Sequence, residues 1–384
     1  MANVTEINDL QSLANYEMAW NALAPLTPRY SFFHTYDWTR LFWEHFGGEQ
    51  QLRVLIVEAA GKVIGVVPLC TRIEQRRWGS VRVLTYPLDG WGMYFSPVGG
   101  MQAATLRLAM QHIADTAEDR SAPSWDLINL PWIDRDGTDR GRTERALGNA
   151  GLTSIAKENE ANSVIEFTGD WESYLADRPR KVRHEIRRNL RRTAEAGRVE
   201  YVRHRPAPQR EGDGDPRWDL YDECEEVARH SWQAGLTKGN TLCHDRVRQF
   251  LRKAHAAASR QGMVDMNVLR IDGQAVAFNY NYHSEGSVFG LRMGYREDHP
   301  VKGAGTALIS MTLQDSCRRG DERFELGPGN QYYKQRLRTC VEHNWRVTHT
   351  PLTSWRSQAL RLSEWTHTLM GHRKDDAAYG KGGE

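Results

Sequence analysis

The 384-residue chain is poor in cysteine, in net charge and in long apolar runs, and each shortage removes a class of protein. Its five cysteines, Cys70, Cys224, Cys243, Cys317 and Cys340, are odd in number and scattered, with no close pair to hold zinc and no disulfide-framework spacing. They read as reduced thiols of a cytoplasmic protein, and no metal is expected. The 51 basic and 49 acidic residues leave a net charge of only +2, which speaks against a chain built chiefly to bind nucleic acid. No stretch approaches the roughly 18 uninterrupted apolar residues that a membrane span needs. Met1 to Leu10 carries Glu6 and Asp9 where a signal peptide would have an apolar core. What is present is globular in composition: 40% hydrophobic and 10% aromatic residues suffice for two cores, and the length suits two domains.

The most informative stretch runs from Met263 to Leu337. Met263 to Ile271 and Gln274 to Tyr282 are rich in Val, Met, Phe and Tyr, and the Asp272-Gly273 between them supplies the positive φ angles of a tight hairpin. A second turn at His283-Ser284-Glu285-Gly286 leads into a third strand, Ser287 to Tyr295. Beyond Pro300 comes Lys302-Gly303-Ala304-Gly305-Thr306, then Ala307, Leu308, Ile309, Met311 and Leu313 at helical spacing, then a short strand, Arg323 to Leu326. A helix start exposes unpaired N–H groups with partial positive charge, and glycine lets a phosphate approach them. Gly303 and Gly305 suit that use, with Lys302 adding a full charge. Taken alone, the same glycines also make an ordinary tight strand-to-helix turn.

The first half of the chain echoes this order. Leu52 to Glu58, Ala60-Gly61 and Val63 to Leu69 form a strand-turn-strand unit, Pro97-Val98-Gly99-Gly100 precedes a helical run from Ala103 to Ala114, and Trp125 to Leu130 makes a following strand. The echo points to an internal duplication. Gly99-Gly100 has no adjacent lysine, so the first half is expected to lack the phosphate site and either to frame a cleft against the second half or to serve as a structural partner. Between the halves, Arg178 to Arg192 holds eight Lys or Arg against one acid, Glu185, while Val182, Ile186 and Leu190 make a narrow apolar stripe. Such a helix docks along one seam and shows its charge, either to an anionic partner or simply to solvent. Trp218 to Trp232 and His244 to Ser259 have helical apolar spacing, and the tail after Met370 is too polar to fold. Asp89-Gly90-Trp91-Gly92 offers a carboxylate and an indole for gripping a sugar or amine, or a plain structural loop. His283 and His299 read as solvated loop histidines.

With Tyr295, Lys302-Gly303-Ala304-Gly305, Gly327-Pro328-Gly329 and Tyr332-Tyr333-Lys334 in this order, the segment resembles the core of the GNAT acyltransferases, specifically the CelD-type branch related to the Fem aminoacyl transferases. Phe33-His34-Thr35-Tyr36-Asp37-Trp38 resembles the start of that branch's first half, with Asp37 as a helix-capping acid and Trp38 as a core residue, so the likeness covers about residues 10–350. One position departs from the wider family: where Gln or Arg usually opens the glycine turn stands Pro300, which has no N–H.

The resemblance implies an α/β (α+β) tandem duplicated GNAT fold, each half a mixed, mostly antiparallel sheet flanked by helices. It divides the chain into 1–165, 166–355 with the acyl-CoA site, and 356–384 as a helix and disordered tail. It implies direct acyl transfer from acetyl-CoA or another acyl-CoA to an amine or hydroxyl of a small-molecule or glycan acceptor, such as a polysaccharide precursor, without metal. Lys302, Gly303, Ala304, Gly305 and Thr306 would hold the coenzyme. Amides around Leu291 to Met293 would polarise the acyl oxygen. Glu325, half-buried in a cleft-lining strand, would be the base or else an exposed strand residue paired with an arginine; Tyr333 and Lys334 would protonate the departing thiolate or else serve as an aromatic packing anchor. A Fem-type alternative takes aminoacyl-tRNA through Arg183, Arg187 and Arg191, and a third reading is a noncatalytic binder of glycan or partner.

Overall fold

Two hairpins with the same turn set the scaffold. Ala60-Gly61 and Asp272-Gly273 both place consecutive residues in the left-handed region, at φ 50° and 74° in the first pair and 51° and 83° in the second. This is the twist that joins adjacent antiparallel strands. A Cβ at Gly273 would meet nothing within 4 Å, so Gly273→Ala tests the backbone conformation alone. It is expected to cost about 1–2 kcal/mol in a urea unfolding curve.

The computed structural model describes residues 2–76, 79–87, 92–118, 124–235, 241–329 and 331–351. Asp89-Gly90-Trp91 and the tail 356–384 lie outside the described residues. The first half runs β1 (Ala2–Ile7), α1 (Leu10–Leu13), α2 (Glu17–Leu23), α3 (Tyr36–Phe46), β2 (Gln51–Ala59), β3 (Lys62–Arg76), β4 (Gly79–Thr85), α4 (Gln102–Glu118), β5 (Leu127–Ile133), α5 (Arg142–Asn149) and β6 (Ser154–Glu166). Then α6 (Trp171–Ala176) and α7 (Arg180–Ala194) lead into the second half. It repeats the order with β7 (Val199–His204), α8 (Trp218–Arg229), α9 (Asp245–Arg260), β8 (Val264–Ile271), β9 (Gln274–Ser284), β10 (Ser287–Tyr295), α10 (Ala304–Arg319), β11 (Arg323–Pro328), α11 (Tyr332–Leu337) and β12 (Cys340–His349).

Among the described residues twelve strands join one sheet in the order β1-β2-β3-β4-β5-β12-β6-β11-β10-β9-β8-β7. Each half lends its last strand to the other: β12 pairs with β5, and β6 pairs with β11. The two lent strands pair antiparallel at the centre, Cys340 opposite Val164 through His349 opposite Ser154. The two parallel pairs are β4 with β5 and β10 with β11, one in each half. This is an α/β fold in which one large mixed sheet is flanked by helices.

The core is shared as well. Trp38 and Phe33 of the first half stand 5.3 Å from Phe250 and 5.7 Å from Tyr282 of the second, in edge-to-face contacts. Trp38 is buried as expected, but the cap of α3 is Thr35, whose hydroxyl accepts from the Trp38 amide. Asp37 lies inside the first turn and accepts from Arg40 and from Gln261, the residue that follows α9, so its carboxylate ties the halves together. The basic helix docks by the expected stripe: Val182, Ile186 and Leu190 of α7 pack with Ile309 and Leu313 of α10 and Phe324 and Leu326 of β11.

Candidate functional site

Parallel strands β10 and β11 pair only from Ser287–Arg323 to Phe289–Glu325 and then separate. At the point of separation neither strand carries a side chain: a Cβ on Gly290 would lie 2.6 Å from the Glu325 carbonyl, and one on Gly327 would lie 3.4 Å from the Gly290 carbonyl. Just beyond it β10 bulges between Gly290 and Arg292, leaving Leu291 without a partner residue on β9. The equivalent split in the first half is filled by the chain itself. There β4 and β5 pair only at Val83–Leu127 and Leu84–Ile128, and the segment after β4 comes back alongside β5, with the Phe95 amide donating to the Trp132 carbonyl. Met93, Tyr94 and Phe95 are all buried there.

Helix α10 starts at the open end of the second split. Gly303 precedes it at φ 88°, in the left-handed region, and no side chain caps the helix. Among the described residues no acceptor takes the amides of Ala304, Gly305 and Thr306. Lys302 is exposed, whereas Ala304 and Gly305 are buried. Both glycines have close neighbours: the Asn189 side chain of α7 comes within 2.7 Å of where a Gly303 Cβ would stand, and the Tyr295 ring within 3.1 Å for Gly305. The amides are therefore unpaired but reached past two side chains.

The expected base is placed differently from its description in the sequence. Glu325 is 0% exposed, not half-buried, because β11 runs through the middle of a sheet covered on both faces. Its Oε1 takes Arg29 at 2.5 Å and Arg323 at 3.2 Å, and its Oε2 is buried with no partner among the described residues. Arg29 comes from the loop before α3 and binds three carboxylates, adding Glu342 at 2.7 Å and Asp134 at 3.0 Å, with its guanidinium 3.7 Å above the Tyr94 ring. Burial opposes the charge on Arg29, but Glu325, Tyr94, Glu342 and Asp134 outweigh it and raise its pKa. Glu325 thus pairs with arginines of both halves as a fully buried residue, where the paired alternative expected an exposed one.

Lys334 faces the split directly. Its Nζ donates to the Pro328 carbonyl at 2.5 Å and lies 3.8 Å from the Gly327 Cβ position. The residue is 6% exposed, and burial, followed by repulsion from Arg292, pushes its pKa down to about 8 against the pull of Glu160. Tyr333 packs beside it against the core under α7, and burial raises its phenol above the ordinary value. His283 is no solvated loop residue: it lies on β9 beside Arg205 and Asp265, and burial, then Arg205, pushes it down to about 4. It belongs to a buried brace in which Arg203 and Arg205 hold Asp265 and Asp321. Among the described residues no cluster of three His, Cys, Asp or Glu is arranged for a metal, and no helix is long and apolar enough to cross a membrane.

Two site residues escaped the sequence reading. Arg29 sits in a loop, at φ 59°, with no motif around it. Asn189 is the one amide in a run of arginines, and the buried set 182, 186, 189, 193 continues the apolar stripe through it, which is the signal that marks it.

The two halves thus share one arrangement, with the strand split open in the second and filled in the first. Residues 180–335 match the family model described as an acetyltransferase (GNAT) domain. Among solved structures, FemX superposes with a TM-score of 0.59 at 10% identity, covering 94% of this chain and 99% of its own. A conserved protein of unknown function from Bacteroides thetaiotaomicron VPI-5482 gives 0.52 at 13% identity, covering 91% and 100%. L-PGS from Bacillus licheniformis gives 0.51 at 15%, covering 85% and 95%. At these identities the likeness is one of fold. No curated protein matches significantly.

Proposed function

We propose that the chain is an acyl-CoA-dependent N- or O-acyltransferase working in the second half, on a small-molecule or glycan acceptor such as a polysaccharide precursor. The observation that carries the reading is the open split between β10 and β11, ending at a helix start with three unpaired amides and a lysine. An anionic diphosphate fits the amides of Ala304, Gly305 and Thr306 and the charge of Lys302, and a narrow chain fits the glycine-lined split. When bound, the coenzyme supplies an activated thioester. The amides of Leu291 to Met293 are assigned to the acyl oxygen. Lys334, with a pKa of about 8, is assigned to the proton: as a free amine it takes one from the attacking nucleophile and as an ammonium returns it to the departing thiolate. Glu325 and Arg29 hold the β11 wall in place. The filled split of the first half supports a single coenzyme site.

Tryptophan fluorescence titration with coenzyme A and acetyl-CoA tests this. Saturable binding is expected in the micromolar-to-millimolar range typical of enzyme substrates. No quenching at about 1 mM of either ligand removes the assignment.

The exposed arginines keep a second reading, aminoacyl-tRNA as donor. Arg187 and Arg191 face solvent on α7, although Arg183 turns back to the carbonyls of Ala176 and Arg178. RNA-dependent retention on a tRNA column, abolished by Arg187→Ala with Arg191→Ala, is the result that would promote it.

A further inference from the structure

Asn189 is 4% exposed and makes no hydrogen bond with any described residue. A side-chain amide has two donors and an acceptor to satisfy, and nearly all buried polar groups in folded proteins find partners. This one stands instead at the Gly303 bend, with Oδ1 2.7 Å and Nδ2 3.2 Å from the Cβ position that glycine leaves empty. Half a turn about the Cβ–Cγ bond exchanges the two atoms, so the NH2 group can stand at the same place.

The loop ahead of α10 is short of donors at this point. Pro300 has no N–H, and the Val301 amide is taken by the His299 ring at 3.2 Å. One turn before Asn189, Glu185 pairs with Arg336 of α11 at 2.5 Å. This side of α7 therefore runs from α11 to the start of α10. Arg188, next to Asn189, also has a buried Nε without a partner among the described residues.

We infer that Asn189 is a side-chain ligand of the diphosphate at the α10 start, supplying from α7 the donor that Pro300 and Val301 do not. The inference rests on the coenzyme reading above and assigns α7 a binding task in it, separate from its exposed arginines. A hydrogen bond to a charged group is worth roughly 10–150-fold in affinity.

Asn189→Asp tests this with almost no change of shape. A carboxylate beside a helix N-terminus favours the fold but repels a diphosphate. The variant is expected to melt at or above the parent temperature while binding coenzyme A at least about 10-fold more weakly. Asn189→Ala should weaken binding by a smaller factor. Acetyl-pantetheine, which has no phosphate, should bind parent and both variants alike. Equal coenzyme A affinity in parent and Asn189→Asp overturns the inference, as does an equal loss for acetyl-pantetheine. If the parent binds no coenzyme A, the functional reading fails, and inorganic pyrophosphate then decides the site. Pyrophosphate binding by the parent that Asn189→Asp abolishes sustains the Asn189 assignment; equal or absent binding ends it.

Discussion

Arg29→Met is expected to lower the unfolding free energy by about 3–5 kcal/mol, the cost of leaving one side of a buried ion pair alone. The guanidinium is the meeting point of Glu325, Glu342 and Asp134, which come from β11, β12 and the end of β5. Methionine keeps most of the stem that lies over Tyr94 and removes only the charge. Glu325, fully buried, is then left with Arg323 alone. Adding Glu325→Gln should recover a good part of the loss, since a neutral amide needs no counter-charge there. Urea unfolding followed by tryptophan fluorescence and far-UV circular dichroism measures both. The pH dependence has a definite sign. Although burial raises the Glu342 carboxyl, Arg29 and Arg323 bring it below its ordinary 4.5. Its stabilisation is therefore complete above pH 4.5 and lost as the pH falls through the lowered value. The parent should lose stability on acidification more steeply than Arg29→Met. A single variant within about 1 kcal/mol of the parent would show that this cluster does not hold the halves together.

Much of the fold was legible because its signals are local. Asp272-Gly273 and Ala60-Gly61 announce their hairpins through backbone conformation, and the spacing of Val182, Ile186 and Leu190 describes the docked face of α7. What could not be read is what the sheet brings together from a distance. The lending of β12 to the first half and β6 to the second joins residues far apart in the chain, and no local pattern encodes it. The burial of Glu325 follows from that exchange: in an edge strand the same residue would be half exposed, as its sequence context implied. Arg29 meets Glu325 across 296 positions, from a loop with no periodicity to read. The glycine turn was visible as a turn, but not that Asn189 and Tyr295 would lean on its two glycines.

Lys334→Met is expected to reduce kcat by about 10²–10⁴-fold, the usual contribution of a positioned acid–base group, while leaving the fold as stable or more so. The opposite signs follow from one fact. Burial and Arg292 bring the Lys334 pKa from 10.5 down to about 8, so the folded protein disfavours the ammonium that the unfolded chain carries freely. Below pH 8 that penalty is fully present, at most about 3 kcal/mol. Between about 8 and 10.5 the unfolded chain binds a proton that the folded one does not, so stability rises with pH across that window. Methionine, apolar and of similar length, removes the penalty and forgoes one hydrogen bond to Pro328. Its unfolding free energy should equal or exceed the parent's at neutral pH and lack the rise above pH 8. With Lys334 as the base, the parent's kcat/KM climbs with pH to a plateau above about 8, and Lys334→Arg, which stays charged there, shows neither the plateau nor the parent's rate. Once an acceptor is in hand, loss of rate together with loss of stability would mark Lys334 as a packing residue, and an unchanged pH profile in Lys334→Arg would move the proton elsewhere.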